Sequence, residues 1–96
     1  MATDYVNSQC LHVDDRFTLD AADFCTVPGY LILRVAGGAT RLADLGPEAA
    51  RALGGLLARA SAALEAATGA ERVYVLSFCE VDRRLHFHLF PRTAWL

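Results

Sequence analysis

The sequence predicts an α+β fold: an antiparallel five-stranded sheet with one long helix packed on one face. Three observations lead there. From residue 84 to residue 89, Leu85, Phe87 and Leu89 alternate strictly with Arg84, His86 and His88, the period of a strand with one core face and one polar face. After Pro47, apolar residues recur at helical spacing instead, and Leu53, Leu56, Leu57, Ala60 and Leu64 fall in one stripe. The remaining β-like runs are joined by short turns, with the helix as the one long interruption.

Residues 1–9 are polar and irregular and read as a mobile tail ahead of a single domain spanning the 96 residues. Residues 10–13 form a short strand, Asp14-Asp15 turns the chain, and residues 17–19 run back as a hairpin. His12, in the first strand, is incidental. Asp20-Ala21-Ala22-Asp23 is a polar break. Pro28-Gly29 leads tightly into residues 30–35, a near-continuous apolar run that suits a central strand, and Gly37-Gly38 turns the chain after it. The helix has its punctuation: Gly46 as cap, Pro47 in the first turn, Glu48 against the positive end of the dipole, and Thr68-Gly69 as the stop. Gly54-Gly55 inside it costs about 1 kcal/mol each relative to alanine, which suggests close approach of another backbone, from this subunit's sheet or from a partner's helix. Residues 72–79 form the next strand, with Tyr74, Leu76 and Phe78 on one face and Val73, Val75, Ser77 and Cys79 on the other. Glu80-Val81-Asp82-Arg83 returns the chain to the histidine strand, which Pro91 ends because proline cannot donate to a ladder. Trp95 seals a core edge or a dimer seam.

The histidine strand carries the chemistry. His86 and His88 are two residues apart, roughly 6.5–7 Å along an extended chain, a span over which two imidazoles can meet one small anionic group such as a phosphate. Three readings of the pair stand side by side: a half-exposed strand that happens to carry histidine, a metal site, and nucleophilic or acid–base catalysis. Arg84 and Arg92 place positive charge at either end.

Composition sets the limits. An apolar fraction of 54% supports a globular core, while no run approaches the ~20 residues that span a bilayer. No basic-then-apolar leader opens the chain, so a cytoplasmic protein is the expectation. A net charge of −2 makes no case for broad nucleic-acid binding. All nine basic residues are arginine, so phosphate contacts from basic side chains can be forked. Cys10, Cys25 and Cys79 form no Cys-x-x-Cys pair and read as small buried hydrophobes in a reducing compartment; the other reading joins Cys10 or Cys79 to a histidine as a metal ligand.

The string Arg84-Leu85-His86-Phe87-His88-Leu89-Phe90-Pro91-Arg92 resembles the signature of the histidine triad superfamily, in which three alternating histidines are often followed by Pro-Arg. The likeness runs from residue 11 to residue 92, through Pro28-Gly29-Tyr30-Leu31-Ile32-Leu33, Asp44-Leu45, the alanine-rich helix and Glu71-Arg72-Val73-Tyr74-Val75. It implies the same fold and a nucleotidyl hydrolase or transferase acting at the α-phosphate of dinucleoside polyphosphates or nucleoside phosphoramidates. His86 would be the nucleophile, forming a nucleotidyl-histidine intermediate, and His88 the phosphate ligand and proton donor. Arg84 stands where the first histidine of the triad belongs, as a phosphate clamp that cannot shuttle a proton. An acidic residue that holds the ribose hydroxyls in such proteins aligns with Ala22, flanked by Asp20 and Asp23; Ser77 and Arg92 complete the expected substrate contacts. The family's basic loop has Gly38 at its histidine position, and the Gly-rich connection that reaches phosphates is here short, without Gly, Asn or Gln. The scheme needs no metal or cofactor and implies a homodimer. The alternative is a nucleotide-binding or dimeric interaction module of the same fold with weakened catalysis.

Overall fold

The computed structural model describes residues 10–22 and 29–93. Those residues form one five-stranded antiparallel sheet and one long helix, as the alternation and the apolar stripe predict. The strands are β1 (Cys10–Val13), β2 (Phe17–Ala21), β3 (Leu31–Val35), β4 (Arg72–Leu76) and β5 (His86–Arg92), and α1 (Pro47–Thr68) lies between β3 and β4. Their order in space is β1-β2-β3-β5-β4. The chain crosses over through α1, lays β4 at the edge, and returns through β5 into the gap beside β3. Both histidines are thereby carried into the interior of the sheet.

The core lies between the sheet and α1. Phe17 and Leu19 of β2, Leu31, Leu33 and Val35 of β3, and Leu85, Phe87 and Leu89 meet Leu53, Leu56, Ala60 and Leu64 of the helix. Leu57, the remaining member of the stripe, is half-buried against this cluster. Since side chains alternate along a strand, burying residues 85, 87 and 89 against α1 turns 86 and 88 to the opposite face.

Local chemistry fixes the ends of the elements. The Asp14 Oδ1 atom accepts from the backbone N–H groups of Arg16 and Phe17, both at 2.8 Å, which closes the β1–β2 turn. His12 is 2.7 Å from the same carboxylate; with these backbone bonds it draws Asp14 down to about 2. Gly69 ends α1 in the left-handed conformation, φ +70°, with its N–H on the Glu65 carbonyl. Gly29, φ +80°, sits where a Cβ would come within 3.0 Å of Thr68 and 3.3 Å of Pro91, so the entry to β3 packs tightly on the helix end.

Several boundaries differ from the sequence reading. Asp20 and Ala21 belong to β2 rather than to a polar break, because they pair with Ile32 and Leu31. β4 stops at Leu76, and Phe78 projects into solvent at 75% exposure. β5 runs through Pro91, paired with Val73. Its ladder with β3 ends at Leu31↔Leu89, so among the described residues Pro91 has no ladder partner on that side, where a strand tolerates proline. Arg84 precedes β5: Leu85 exchanges hydrogen bonds with Val35 and with Ala39 of the loop after β3, and regular pairing starts one residue later. Among the described residues nothing packs closely on Gly54, and Gly55 meets its own helix's Arg59, so the sheet does not explain the two glycines. Cys10 and Cys79 are half-buried free thiols rather than buried ones. Among the described residues no helix is long and apolar enough to cross a membrane. Cys25, Asp23, Trp95 and the tail lie outside the described residues.

Candidate functional site

The register of the sheet assembles the site from four strands. His86 is opposite Arg34 of β3, which is opposite Thr18 of β2; His88 is opposite Ile32, which is opposite Asp20, and on its other side lies Leu76 of β4. Cross-strand partners share a face, so Arg34, Asp20, His86 and His88 all stand on the side of the sheet away from α1. The two imidazoles lie 5.3 Å apart between ring centroids, inclined at 64°.

The backbone holds His86 in one tautomer. Its Nδ1 lies 2.7 Å from the Arg84 carbonyl oxygen. A carbonyl only accepts, so in the neutral ring Nδ1 carries the proton and Nε2 keeps a lone pair. The carbonyl of His86 in turn accepts from the Ser77 hydroxyl at 2.7 Å and from the Cys79 thiol at 3.7 Å. Cys79 has φ +56°, a left-handed conformation uncommon for a residue with a side chain, and its Sγ lies 3.8 Å from His86 Nδ1. The one hydroxyl proton of Ser77 is thus committed to His86, so donation from Ser77 to a phosphate requires that bond to break.

His88 is set more deeply. Its Nδ1 is 3.0 Å from the Tyr30 hydroxyl, and the Tyr30 ring meets it edge to face at 5.8 Å and Phe90 at 5.1 Å. Burial first, then the neighbouring His86 and Arg34, hold His88 below the ordinary imidazole value of 6.5. It is therefore neutral at pH 7.

Two arginines approach the pair. The Arg84 guanidinium forks onto Asp82, with Nε–Oδ1 at 2.9 Å and Nη2–Oδ2 at 2.7 Å, and this contact holds Asp82 well below the usual carboxylate range. Arg84 is therefore off the strand yet near the site: with Arg34, Asp82 and His86 it lines a cavity of about 60 Å³. Arg34 donates from Nη1 to Asp20 Oδ2 at 3.3 Å. Asp20 is 8% exposed, and its buried Oδ1 has no hydrogen-bond partner among the described residues. Arg92 pairs with Glu71 at 2.9 Å and lies four residues beyond His88, about 13 Å along the strand. No three His, Cys, Asp or Glu side chains among the described residues are placed to hold a metal ion.

Arg34 and Tyr30 are members of this face that reading the motif alone does not pick out, while Cys79, singled out as a possible metal ligand beside a histidine, does lie against His86. Arg34 had a signal: it is the one charge in Leu31-Ile32-Leu33-Arg34-Val35, and alternation puts it with Ile32, away from Leu33. Tyr30 takes its place from long-range folding.

No family model matches the chain, and no curated protein matches it in sequence. Solved structures do match. A Hit-like protein from Bartonella henselae, described as involved in cell-cycle regulation, aligns over 98% of this chain and 74% of its own with a TM-score of 0.78 and 21% identity. A HIT family protein from Bacillus anthracis aligns over 96% and 69% with a TM-score of 0.79 and 14% identity. A histidine triad protein from Bradyrhizobium japonicum aligns over 94% and 72% with a TM-score of 0.73 and 18% identity. The fold of this chain is the histidine triad fold.

Proposed function

We propose that this chain, built on the histidine triad fold, is a nucleotidyl hydrolase or transferase in which His86 attacks the α-phosphorus of a nucleotide. The observation that carries this reading is the Nδ1–H bond from His86 to the Arg84 carbonyl, which leaves a nucleophilic Nε2 on the open face of the sheet. Nε2 forms a bond to phosphorus as the bond to the leaving group breaks. The bound phosphate raises the proton affinity of His88, and the leaving group takes its proton from the protonated ring; water then attacks phosphorus, the Nε2–P bond breaks, and the proton that water gives up returns to His88. Arg84 clamps phosphate on the leaving-group side and stabilises the charge that builds there. Asp20, with Asp23 near it in sequence, accepts ribose hydroxyls; the Oδ1 of Asp20, without a partner among the described residues, supports that role. Arg92 adds positive charge at the far end of the strand. Incubation with a dinucleoside polyphosphate or a nucleoside phosphoramidate, a denaturing quench at alkaline pH and intact-mass spectrometry tests the scheme. The expected result is a mass increase of one nucleotidyl group. Nucleotide binding with no adduct and no turnover would favour a second reading, a binding module, which the engagement of Arg84 by Asp82 supports.

The low pKa of His88 gives this scheme a pH dependence. A phosphate bound beside the ring raises its proton affinity, so the complex holds more protons than the free protein near and below 6.5. Affinity for a nucleoside monophosphate should therefore rise as pH falls from about 8 to about 6. His88→Asn should flatten this trend relative to wild type, a comparison that cancels the ligand's own titration. Calorimetry in buffers of different ionisation enthalpy measures the proton uptake; none in excess of the variant would remove His88 from the phosphate. Folding responds with the same sign. The unfolded ring takes its proton at 6.5 and the folded ring lower, so this contribution to stability is complete above 6.5 and is lost as pH falls.

A symmetric homodimer belongs to the same proposal. Edge strand β4 and the turn after it expose Tyr74, Val75, Leu76, Phe78 and Val81, the last at 100%. An open edge lined with apolar side chains associates unless covered, and a second copy covers it symmetrically. Sedimentation at micromolar concentration should give a dimer, and Phe78→Asp should shift it toward monomer. A wild-type monomer would refute this assignment.

A further inference from the structure

We propose that Arg34, together with Arg84, forms a second oxyanion site beside His86 that takes the phosphate next to the one attacked, so that the chain selects nucleotides bearing a polyphosphate. The inference rests on the nucleotidyl-transfer reading for the identity of the attacked phosphate, but the anion site itself stands on geometry. Arg34 is the cross-strand partner of His86, and Arg34, Arg84 and His86 line one small cavity. The side chain of Arg34 is 46% exposed and that of Arg84 77% exposed, so solvent reaches both. Asp20 anchors Arg34 and Asp82 anchors Arg84. A guanidinium has five N–H donors in a planar fork, and the single Nη1 contact of Arg34 to Asp20 fixes its plane without using all of them. The positive charge of Arg34 also reaches the reacting pair, since it is among the causes that keep His88 neutral.

A monophosphate over His86 and His88 satisfies one anion position and leaves the arginine cavity unused. In a polyphosphate the adjoining phosphate is covalently tethered within reach of that cavity, so its binding adds to the first at little further entropic cost. A phosphoramidate carries an amine in that place and gains nothing from two guanidiniums. Between the two substrate types, the arginines favour the dinucleoside polyphosphate.

The test is calorimetric titration of inorganic pyrophosphate and of a nucleoside monophosphate into the intact chain, which requires no turnover. Wild type should bind pyrophosphate, and Arg34→Gln should weaken that binding by about tenfold or more, the range for losing a charged hydrogen bond. Monophosphate affinity should change by less than about twofold, since its phosphate rests on the histidines. Because Arg34→Gln leaves Asp20 unpaired, melting curves check its folding, and Arg34→Lys, which keeps a positive charge beside Asp20 but loses the planar fork, should also weaken pyrophosphate binding selectively. Arg84→Gln, a change at an exposed side chain, should lower pyrophosphate affinity as well. Equal pyrophosphate affinity in wild type and variants, a parallel loss for both ligands, or no pyrophosphate binding by wild type would each overturn the proposal. A nucleotidyl adduct without Arg34-dependent pyrophosphate binding would discard this inference alone. Arg34-dependent pyrophosphate binding without an adduct would keep the anion site and discard nucleotidyl transfer.

Discussion

Replacing His86 with alanine should abolish the nucleotidyl adduct and lower turnover by about three orders of magnitude or more, the scale on which loss of a catalytic nucleophile is felt. The fold should survive, because the imidazole stands on the face away from the helix and takes no part in the core. The companion variant separates the roles. His88→Ala should slow turnover yet leave the adduct detectable, since the attacking nitrogen belongs to the other ring and only the proton donor is removed. Intact-mass spectrometry after an alkaline quench reads both variants, and melting curves control for folding. Full activity in His86→Ala would withdraw the nucleophile assignment; an adduct lost equally in both variants would require the two roles to be reassigned.

Leu89→Ala should cost about 2–5 kcal/mol, the range for deleting a large buried aliphatic side chain. Leu89 is 0% exposed and lies on β5 between His88 and Phe90, opposite Leu31 on one side and Val75 on the other. Domains are stable by only about 5–15 kcal/mol, so this single change takes a large share of the total. It should also loosen the histidines above it, because the same strand supplies the core residue and the site residue. Urea titration followed by tyrosine fluorescence measures the loss. A change below about 1 kcal/mol would mean that α1 and the sheet do not pack as described.

Much of this molecule is legible along the chain because its local signals agree with its tertiary fold. The helix was bounded by Gly46, Pro47 and Gly69, whose backbone preferences act within a few residues. The assignment of Leu85, Phe87 and Leu89 to the core and of the histidines to the other face followed from a period of two, and burial bears it out. The edges of strands were less legible. Whether a residue such as Asp20 or Pro91 continues a strand depends on the partner beside it, which lies far away in sequence. Arg84 shows the same limit at the site itself: alternation placed it on the strand, whereas the loop at Ala39 captures Leu85 and its own guanidinium turns to Asp82.

The sequence by itself determined the classes of element, the helix ends, and the inward and outward faces of β5, because each depends on periodicity or on one residue's backbone preference. Only the tertiary structure decided that β5 lies between β3 and β4, that Arg34 stands across from His86, and that burial, with His86 and Arg34, holds His88 neutral. It also decided that the Arg84 carbonyl fixes the tautomer of His86. The physical reason is range. A repeat of two or 3.6 residues is written in neighbouring side chains, whereas strand order, register and the field at an imidazole come from residues that meet only once the helix has carried the chain across the sheet.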